Sequence, residues 1–451
     1  METREHLKKE ILETIIKPVI QGEWYVMTEP FTAESITDAL RYWHNVEIPF
    51  IGAPILLNAP IVFGSDSHLR VDERQVMMQA RESETCLVRN EHIQDGAYGT
   101  TDPERRDRNL SIEGGIWKFK TEQRCYTNQE KSMKGSYGCI IFSGVEQVSL
   151  KHMIIYDSLE SGKGNTPSGY GIQICDCRHF IVEDIDFNDN SRDGVHVNGP
   201  ASYGHIRHIR GEKMGDDMVA LNAWDWDTSS LTFGTIDHLY VEDVECPGNE
   251  LRLLPGQKVY ESGERVDCDI RDIVLENIRG IYTFKLYAQP NISNAIRGTH
   301  DVSGTVGTIE NVYFKDISFV EVSPSGLNNL PVKSLFEICA DCSGIYIEDV
   351  YVDNTIDQCS KLDLRLINVG PLSAVWTNGS EDPADWGEVF DPDAICSADD
   401  IYLHHISFQG ETITEKERLV REVTMTVNPE YPRTVPKGGT GYGKIGKVEV
   451  R

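Results

Sequence analysis

Basic residues are scarce in this chain. Lys and Arg number 43 against 72 Asp and Glu, a formal net charge of −29. Such a surface repels phosphate backbones, so nucleic acid is not an expected partner, and solubility is the ordinary use of the excess. Long apolar runs are missing too. No stretch has the length of a membrane span, so no membrane partner is expected. The opening residues, METREHLKKEILETIIKPVI, carry charges inside every apolar run and no small-residue cleavage site follows. They do not read as a signal peptide, and a cytoplasmic location is expected. The eleven cysteines lack zinc-like spacing. Cys175-Asp176-Cys177 and Cys339-Ala340-Asp341-Cys342 are the close pairs, and reduced core thiols are the expectation for a chain this long. No cofactor and no metal are expected.

Helical periodicity is confined to the start. Leu7, Ile11, Ile15 and Val19 recur at helical spacing, and a second helix is expected over Ala33–Trp43 with Ile36, Ala39, Leu40 and Trp43 on one face. After that, short apolar runs alternate with turns. A unit of two hydrophobic residues flanking two polar ones recurs: Leu150-Lys-His-Met153, Val182-Glu-Asp-Ile185, Ile206-Arg-His-Ile209, Val241-Glu-Asp-Val244, Leu275-Glu-Asn-Ile278, Phe314-Lys-Asp-Ile317, Ile347-Glu-Asp-Val350 and Leu403-His-His-Ile406. The intervals are uneven, which fits coils of constant geometry with loops of different length inserted. Tight hairpin turns are sparse, which disfavours a propeller. The expected fold is therefore all-β, a right-handed parallel β-helix, with the N-terminal helices capping its first coil. The expected organisation is a helical cap over 1–47, a β-helical catalytic domain over 48–423 and a tail over 424–451. Long polar loops are expected at 86–109, 286–307 and 369–396.

The chemistry concentrates between Asn190 and Leu254. Three short runs alternate like half-buried strands: Gly194-Val195-His196-Val197, Met218-Val219-Ala220-Leu221 and Glu250-Leu251-Arg252-Leu253. Stacked in register, they bring Asp193 beside Asp216 and Asp217. An outward polar ladder of Gln173, His196, Ala220, Arg252, Lys285 and Glu337 follows. Asp-Gly pairs are ordinary turn chemistry. Two such turns on successive coils, one with adjacent acids, point instead to acid–base work on a glycosidic bond. Trp224 and Trp226 read equally as core anchors or as a sugar-stacking platform.

These residues resemble glycoside hydrolase family 28, the polygalacturonases and relatives. That family carries Asn-Thr-Asp-Gly, Gly-Asp-Asp, Gly-His-Gly and Arg-Ile-Lys on successive coils of a right-handed β-helix. Here Ser191-Arg192-Asp193-Gly194 resembles the first and Gly215-Asp216-Asp217 matches the second. Gly248-Asn249-Glu250 stands where the third belongs, and Phe284-Lys285-Leu286-Tyr287 where the fourth belongs. The likeness spans roughly residues 50–410, with Leu110–Trp117 and Thr308–Ile317 resembling further coils. It implies an inverting hydrolase in which Asp216 is the general acid and Asp193 with Asp217 activates water, across a separation of roughly 6.5–9.5 Å. Expected substrate contacts are His196, Asn222, Trp224, Asn249, Glu250, Arg252, Lys285 and Tyr287, with Arg252 and Lys285 able to clamp a uronate carboxylate. The motif's Asn, Thr, His and second basic residue are replaced by Ser191, Arg192, Asn249 and Tyr287, so a neutral or differently linked sugar stays open. The expected substrate is a galacturonide-type or related oligosaccharide taken at its end, with self-association left open. A polysaccharide lyase or epimerase on the same fold, or a non-catalytic glycan-binding β-helix, are the alternatives.

Overall fold

The computed structural model describes residues 2–80, 83, 86–93, 105–119, 138–157, 169–190, 192–212, 214–225, 230–260, 262–287, 307–319, 334–352, 364–370, 395–424 and 442–451. Most of the expected long loops (94–104, 288–306 and 371–394), Ser191, Trp226 and tail residues 425–441 lie outside them. The chain forms two compact units, Met1–Asn249 and Glu250–Arg451. The division falls within the 48–423 span expected to be one domain.

In the first unit, long strands pair in parallel, each with the next copy of the repeat. His68–Gln79 pairs with Asp107–Phe119, which pairs with Gly138–Asp157. That strand pairs with Tyr170–Asn188, which pairs with Ala201–Glu212. A second ladder of short strands runs from Tyr170–Asn188 to Val195–Asn198 and on to Val219–Asn222. The second unit repeats the pattern through Ile270–Tyr287, Thr308–Phe319, Asp341–Val352 and Ile395–Phe408. Tail strands Tyr442–Ile445 and Val448–Val450 pair in parallel with the last of these.

The sequence repeat has a conformational cause. Its third residue is left-handed in every copy: His152, Asp184, His208 and Asp243 in the first unit, and Asn277, Asp316, Asp349 and His405 in the second, at φ between 51° and 55°. Five residues earlier stands a second left-handed set: Gln147, His179, Tyr203 and His238, then Asp272, Asn311, Gly344 and Asp400. Asn, Asp, His and Gly tolerate this region best, which is why those types fill all the slots but those of Gln147 and Tyr203. Strand register aligns the corners, so Ser202 and Gly204 flanking Tyr203 pair with Arg178 and Phe180 flanking His179. Between the corners and just after them the apolar residues of each unit, such as Phe180, Val182, Ile185 and Phe187, are buried.

The first helix is shorter than expected. It spans Glu2–Thr14 and buries Leu7 and Ile11. Ile15 and Val19 lie beyond it, and Val19 is exposed. Pro18 explains the stop, since the residue before proline is pushed out of the helical region. The second helix spans Ala33–Trp43, with Thr32 and Ser35 forming a capping box. No helix among the described residues is long and apolar enough to cross a membrane.

Candidate active site

The first unit brings the three acids together. Val195–Asn198 pairs with Val219–Asn222, Val195 opposite Val219 and Asn198 opposite Asn222. Just before the strands, Gly194 N donates to Asp217 O at 3.0 Å and Val195 N to Met218 O at 2.9 Å. One carboxylate oxygen from each of Asp193, Asp216 and Asp217 lies within 4.8 Å of the others. That is room for a shared proton, a water or a cation. These are the nearest oxygens, whose spacing is shorter than the separation of whole carboxyl groups expected of an inverting pair. A water about 2.8 Å from each of two oxygens bridges a gap of this size, so a carboxylate-held water fits.

Two features lock the acids in place. Asn190, fully buried, donates through Nδ2 to Arg192 O at 2.9 Å and Asp193 O at 2.7 Å, while its own carbonyl accepts from Gly215 N at 2.8 Å. One side chain thus shapes the Asp193 turn as its backbone holds the Asp216 turn. Gly194 supplies space. A Cβ there would stand 2.7 Å from the Met218 carbonyl oxygen, so any larger residue pushes the two strands apart.

Exposure orders the three acids. Asp217 is 0% and Asp193 2% exposed, whereas Asp216 is half-buried. Asp216 is the acid that a bound molecule can reach. Cys246 lies near Asp217: burial first, then the Asp217 charge, push its thiol well up, so it stays protonated and is no nucleophile. Nine cysteines among the described residues are free and buried.

The polar ladder is in the expected register but does not face solvent. His196 stands opposite Gln173 and Ala220, and in the second unit Lys285, Glu337 and Asn368 stand opposite one another. All of these side chains are buried. The strands are closed on both faces, as parallel strands commonly are, and hydrogen bonds from Gln173 to Asn198, between His196 and Asp193, from Lys285 to Glu250 and from Tyr287 to Glu337 make that burial tolerable. His196 corrects the reading of it as a substrate contact. It is 0% exposed, its ring stacks on Tyr170 at 3.9 Å, and its Nδ1 lies 2.6 Å from Asp193 Oδ2. Asn222 is likewise buried, donating to Asp225 Oδ2 at 2.8 Å. Trp224 is 6% exposed, closer to a core anchor than a stacking platform, and Asn249 is buried.

In the second unit, Lys285 is 2% exposed and its ammonium is taken by Glu250 Oε1. Arg252 Nη2 lies 3.7 Å from the same oxygen. Tyr287 donates to Glu337 Oε2 at 2.7 Å, and burial, then Glu337, push its phenol well up. The basic pair expected to await a uronate is already engaged by a carboxylate of the chain.

Sequence reasoning missed Asn190, Asn198, Tyr170 and Asp225. Asn190 had a local signal, an Asx residue preceding the Asp193 turn. Tyr170 had none, since its stack on His196 links residues far apart in the chain. A second group, Glu183, Asp184 and His208, also converges closely enough to hold a cation, but Lys151 and Arg207 pair with Glu183, and His152 and His208 with Asp184.

No family model matches the chain, and no curated protein matches it. Solved structures do. The chain is similar to a hyperthermoactive exopolygalacturonase from Thermotoga maritima, at 14% identity and a TM-score of 0.49, over 81% of this chain and 91% of that one. It is similar to a family 28 exopolygalacturonase from Yersinia enterocolitica, at 11% identity and a TM-score of 0.47, over 96% of this chain and 76% of that one. It is also similar to a surface adhesin of Streptococcus pneumoniae, at 11% identity and a TM-score of 0.41, over 71% of this chain and 80% of that one.

Proposed function

We propose that the chain is a glycoside hydrolase built on right-handed β-helical coils. The observation that carries this reading is the triad of carboxylates within 4.8 Å, one half-buried and two buried. Asp216, the accessible member, gives its proton to the departing glycosidic oxygen. Asp193 and Asp217 hold a water between them and take its proton as the water oxygen bonds to the anomeric carbon. The glycosidic C–O bond breaks in the same displacement, so the configuration inverts. The proton on Asp216 also relieves the repulsion that three charged carboxylates this close would suffer.

The proposed substrate is a galacturonide-type or related oligosaccharide, taken at its end. Within that class, the engagement of Lys285 and Arg252 by Glu250 favours a sugar with no obligatory carboxylate. A cytoplasmic location and a small soluble oligosaccharide go together in this reading.

The test is activity on a panel of neutral and uronic oligosaccharides, with the first-formed anomer read by NMR and absorbance followed for an unsaturated product. Hydrolysis with the inverted anomer supports the reading. Retained configuration refutes the displacement. An unsaturated product replaces hydrolysis with lyase chemistry, and no cleavage of any glycan leaves a binding protein.

A further inference from the structure

The three carboxylates are not equivalent, and a buried chain of hydrogen bonds distinguishes them. It starts at Asn198, fully buried. Asn198 Oδ1 faces two donors, Gln173 Nε2 at 3.3 Å and Cys175 Sγ at 3.4 Å. Its amide oxygen is therefore committed as an acceptor. Asn198 Nδ2 points the other way, to Ser230 Oγ at 3.1 Å, His196 Nε2 at 3.1 Å and, farther off, Asn222 O at 3.4 Å. A nitrogen that receives an amide N–H carries no proton of its own. His196 Nε2 is thus the accepting ring nitrogen, and Nδ1 bears the hydrogen. That N–H donates to Asp193 Oδ2 at 2.6 Å. A second carboxylate, Asp225, has its Oδ2 3.8 Å from Nε2, beyond hydrogen-bonding reach, and that oxygen already accepts from Asn222. Tyr170 stacks flat on the imidazole, 9° from parallel, and fixes its plane.

We propose that His196 is a positioning residue that commits Asp193 to the base role. This inference rests on the hydrolase reading above. The Nδ1–H occupies Oδ2 and requires it to be an acceptor, which leaves Oδ1 as the one oxygen of Asp193 open to a proton. Asp193 Oδ1 makes no hydrogen bond among the described residues, although it is buried. It is the oxygen left to receive the proton of the attacking water. The arrangement reverses the common pattern of a carboxylate orienting a histidine: here the histidine, itself oriented by an amide, aims the carboxylate. Donor and acceptor counting thus identifies the reactive oxygen of Asp193 independently of any motif.

The test uses the full-length chain labelled with ¹⁵N-histidine. At neutral pH the His196 ring, assigned by the signals lost in His196→Asn, is expected to show a protonated Nδ1 and a bare Nε2. A protonated Nε2, with or without a proton on Nδ1, overturns the assignment whatever the chain hydrolyses. If the expected tautomer is found but no glycoside is cleaved, the hydrolase reading fails and the hydrogen-bond assignment stands. Kinetics on an aryl glycoside cleaved by the wild type separate positioning from mere packing. His196→Leu is expected to lower kcat roughly 10- to 100-fold, the scale of a lost hydrogen bond to a charged group, with KM near the wild-type value because the ring is sealed from substrate. His196→Asn keeps an amide N–H toward Asp193 and should recover most of that loss. Equal losses in the two variants, or a loss carried by KM, overturn the proposal. Should His196→Leu fail to fold, Asn198→Asp replaces the donor at Nε2 with an acceptor. It should draw a proton onto Nε2 and lower kcat, and an unchanged ring overturns the proposal.

Discussion

Lys285→Met should cost the second unit about 3 kcal/mol. Lys285 and Glu250 are 2% and 1% exposed, and the ammonium bonds directly to Glu250 Oε1. Removing one member of a buried ion pair typically costs about 3–5 kcal/mol, because the other charge is left in a poor dielectric. Arg252 Nη2 remains 3.7 Å from the same oxygen and supplies part of the lost compensation, which places the loss at the low end. Three kcal/mol is roughly a 150-fold change in the unfolding constant. Methionine keeps the length of the stem, so the change isolates charge from packing. Urea unfolding followed by fluorescence, with a common slope for all variants, reads the shift in midpoint. The double variant Lys285→Met with Glu250→Gln removes both charges and should lie closer to wild type than Lys285→Met alone. A single variant within about 0.5 kcal/mol of wild type, outside the range expected for a buried pair, would refute the reasoning. Glu250→Gln alone carries a functional readout. It releases Lys285 for an outside carboxylate, so a uronic acid should bind this variant more tightly than it binds the wild type if Lys285 is a substrate contact.

Four further outcomes follow from the structure. Asp216→Asn should lower hydrolysis of a natural disaccharide about 10²–10⁴-fold and spare an aryl glycoside whose leaving group needs no proton, whereas Asp193→Asn and Asp217→Asn should impair both, measured as kcat/KM on the two substrates. Gly194→Ala should destabilise the first unit by about 1–3 kcal/mol in chemical denaturation, because its Cβ meets the Met218 carbonyl and cannot be accommodated by rotating a side chain. Chelation with EDTA should leave the rate unchanged, since a proton rather than a cation is proposed among the three acids; a rate restored only by added divalent cation would favour the lyase alternative. Burial pushes the Glu242 carboxyl up, but hydrogen bonds from His205 and Tyr240 and the nearby charges of His205 and Lys8 outweigh it and bring the group down to about 2 from its ordinary 4.5. Its folded value is depressed, so its stabilisation is present above pH 4.5 and lost as pH falls toward 2, and Glu242→Gln should flatten the dependence of thermal midpoint on pH in that window.

What could be read in the sequence was what local rules control. The left-handed corners announce themselves through Asn, Asp and His, and the alternation of Val195, His196 and Val197 fixes the register opposite Ile172, Gln173 and Ile174. From that register the convergence of Asp193, Asp216 and Asp217 follows. Alternation tells which side chains share a face, but not what covers it. His196 was read as outward because nothing near it in sequence signals Tyr170 or the amide of Asn198. Lys285 was read as available for the same reason: its partner Glu250 lies 35 residues away and is joined to it only by the fold. Pairings between distant polar residues have no periodicity, so composition and spacing carry no trace of them.

The constant five-residue interval between left-handed corners has a consequence for how this chain can change. Apart from the short paired strands that lie there, such as Val195–Asn198 and Val219–Asn222, what separates one copy's second corner from the next copy's first can vary in length, and the uneven spacing of the copies shows that lengths do differ. The interval between corners is rigid currency by contrast. One residue deleted there would move an apolar side chain such as Met153 or Ile185 into a left-handed slot and turn the following strand inside out. Insertions and deletions should therefore accumulate in the connections and be purged from the corners. A library that randomises connection length outside the Asn190–Asn198 and Gly215–Asn222 segments, with each corner pair intact, should yield folded variants with altered ligand preference, because it varies what overhangs the strands without shifting any carboxylate along them.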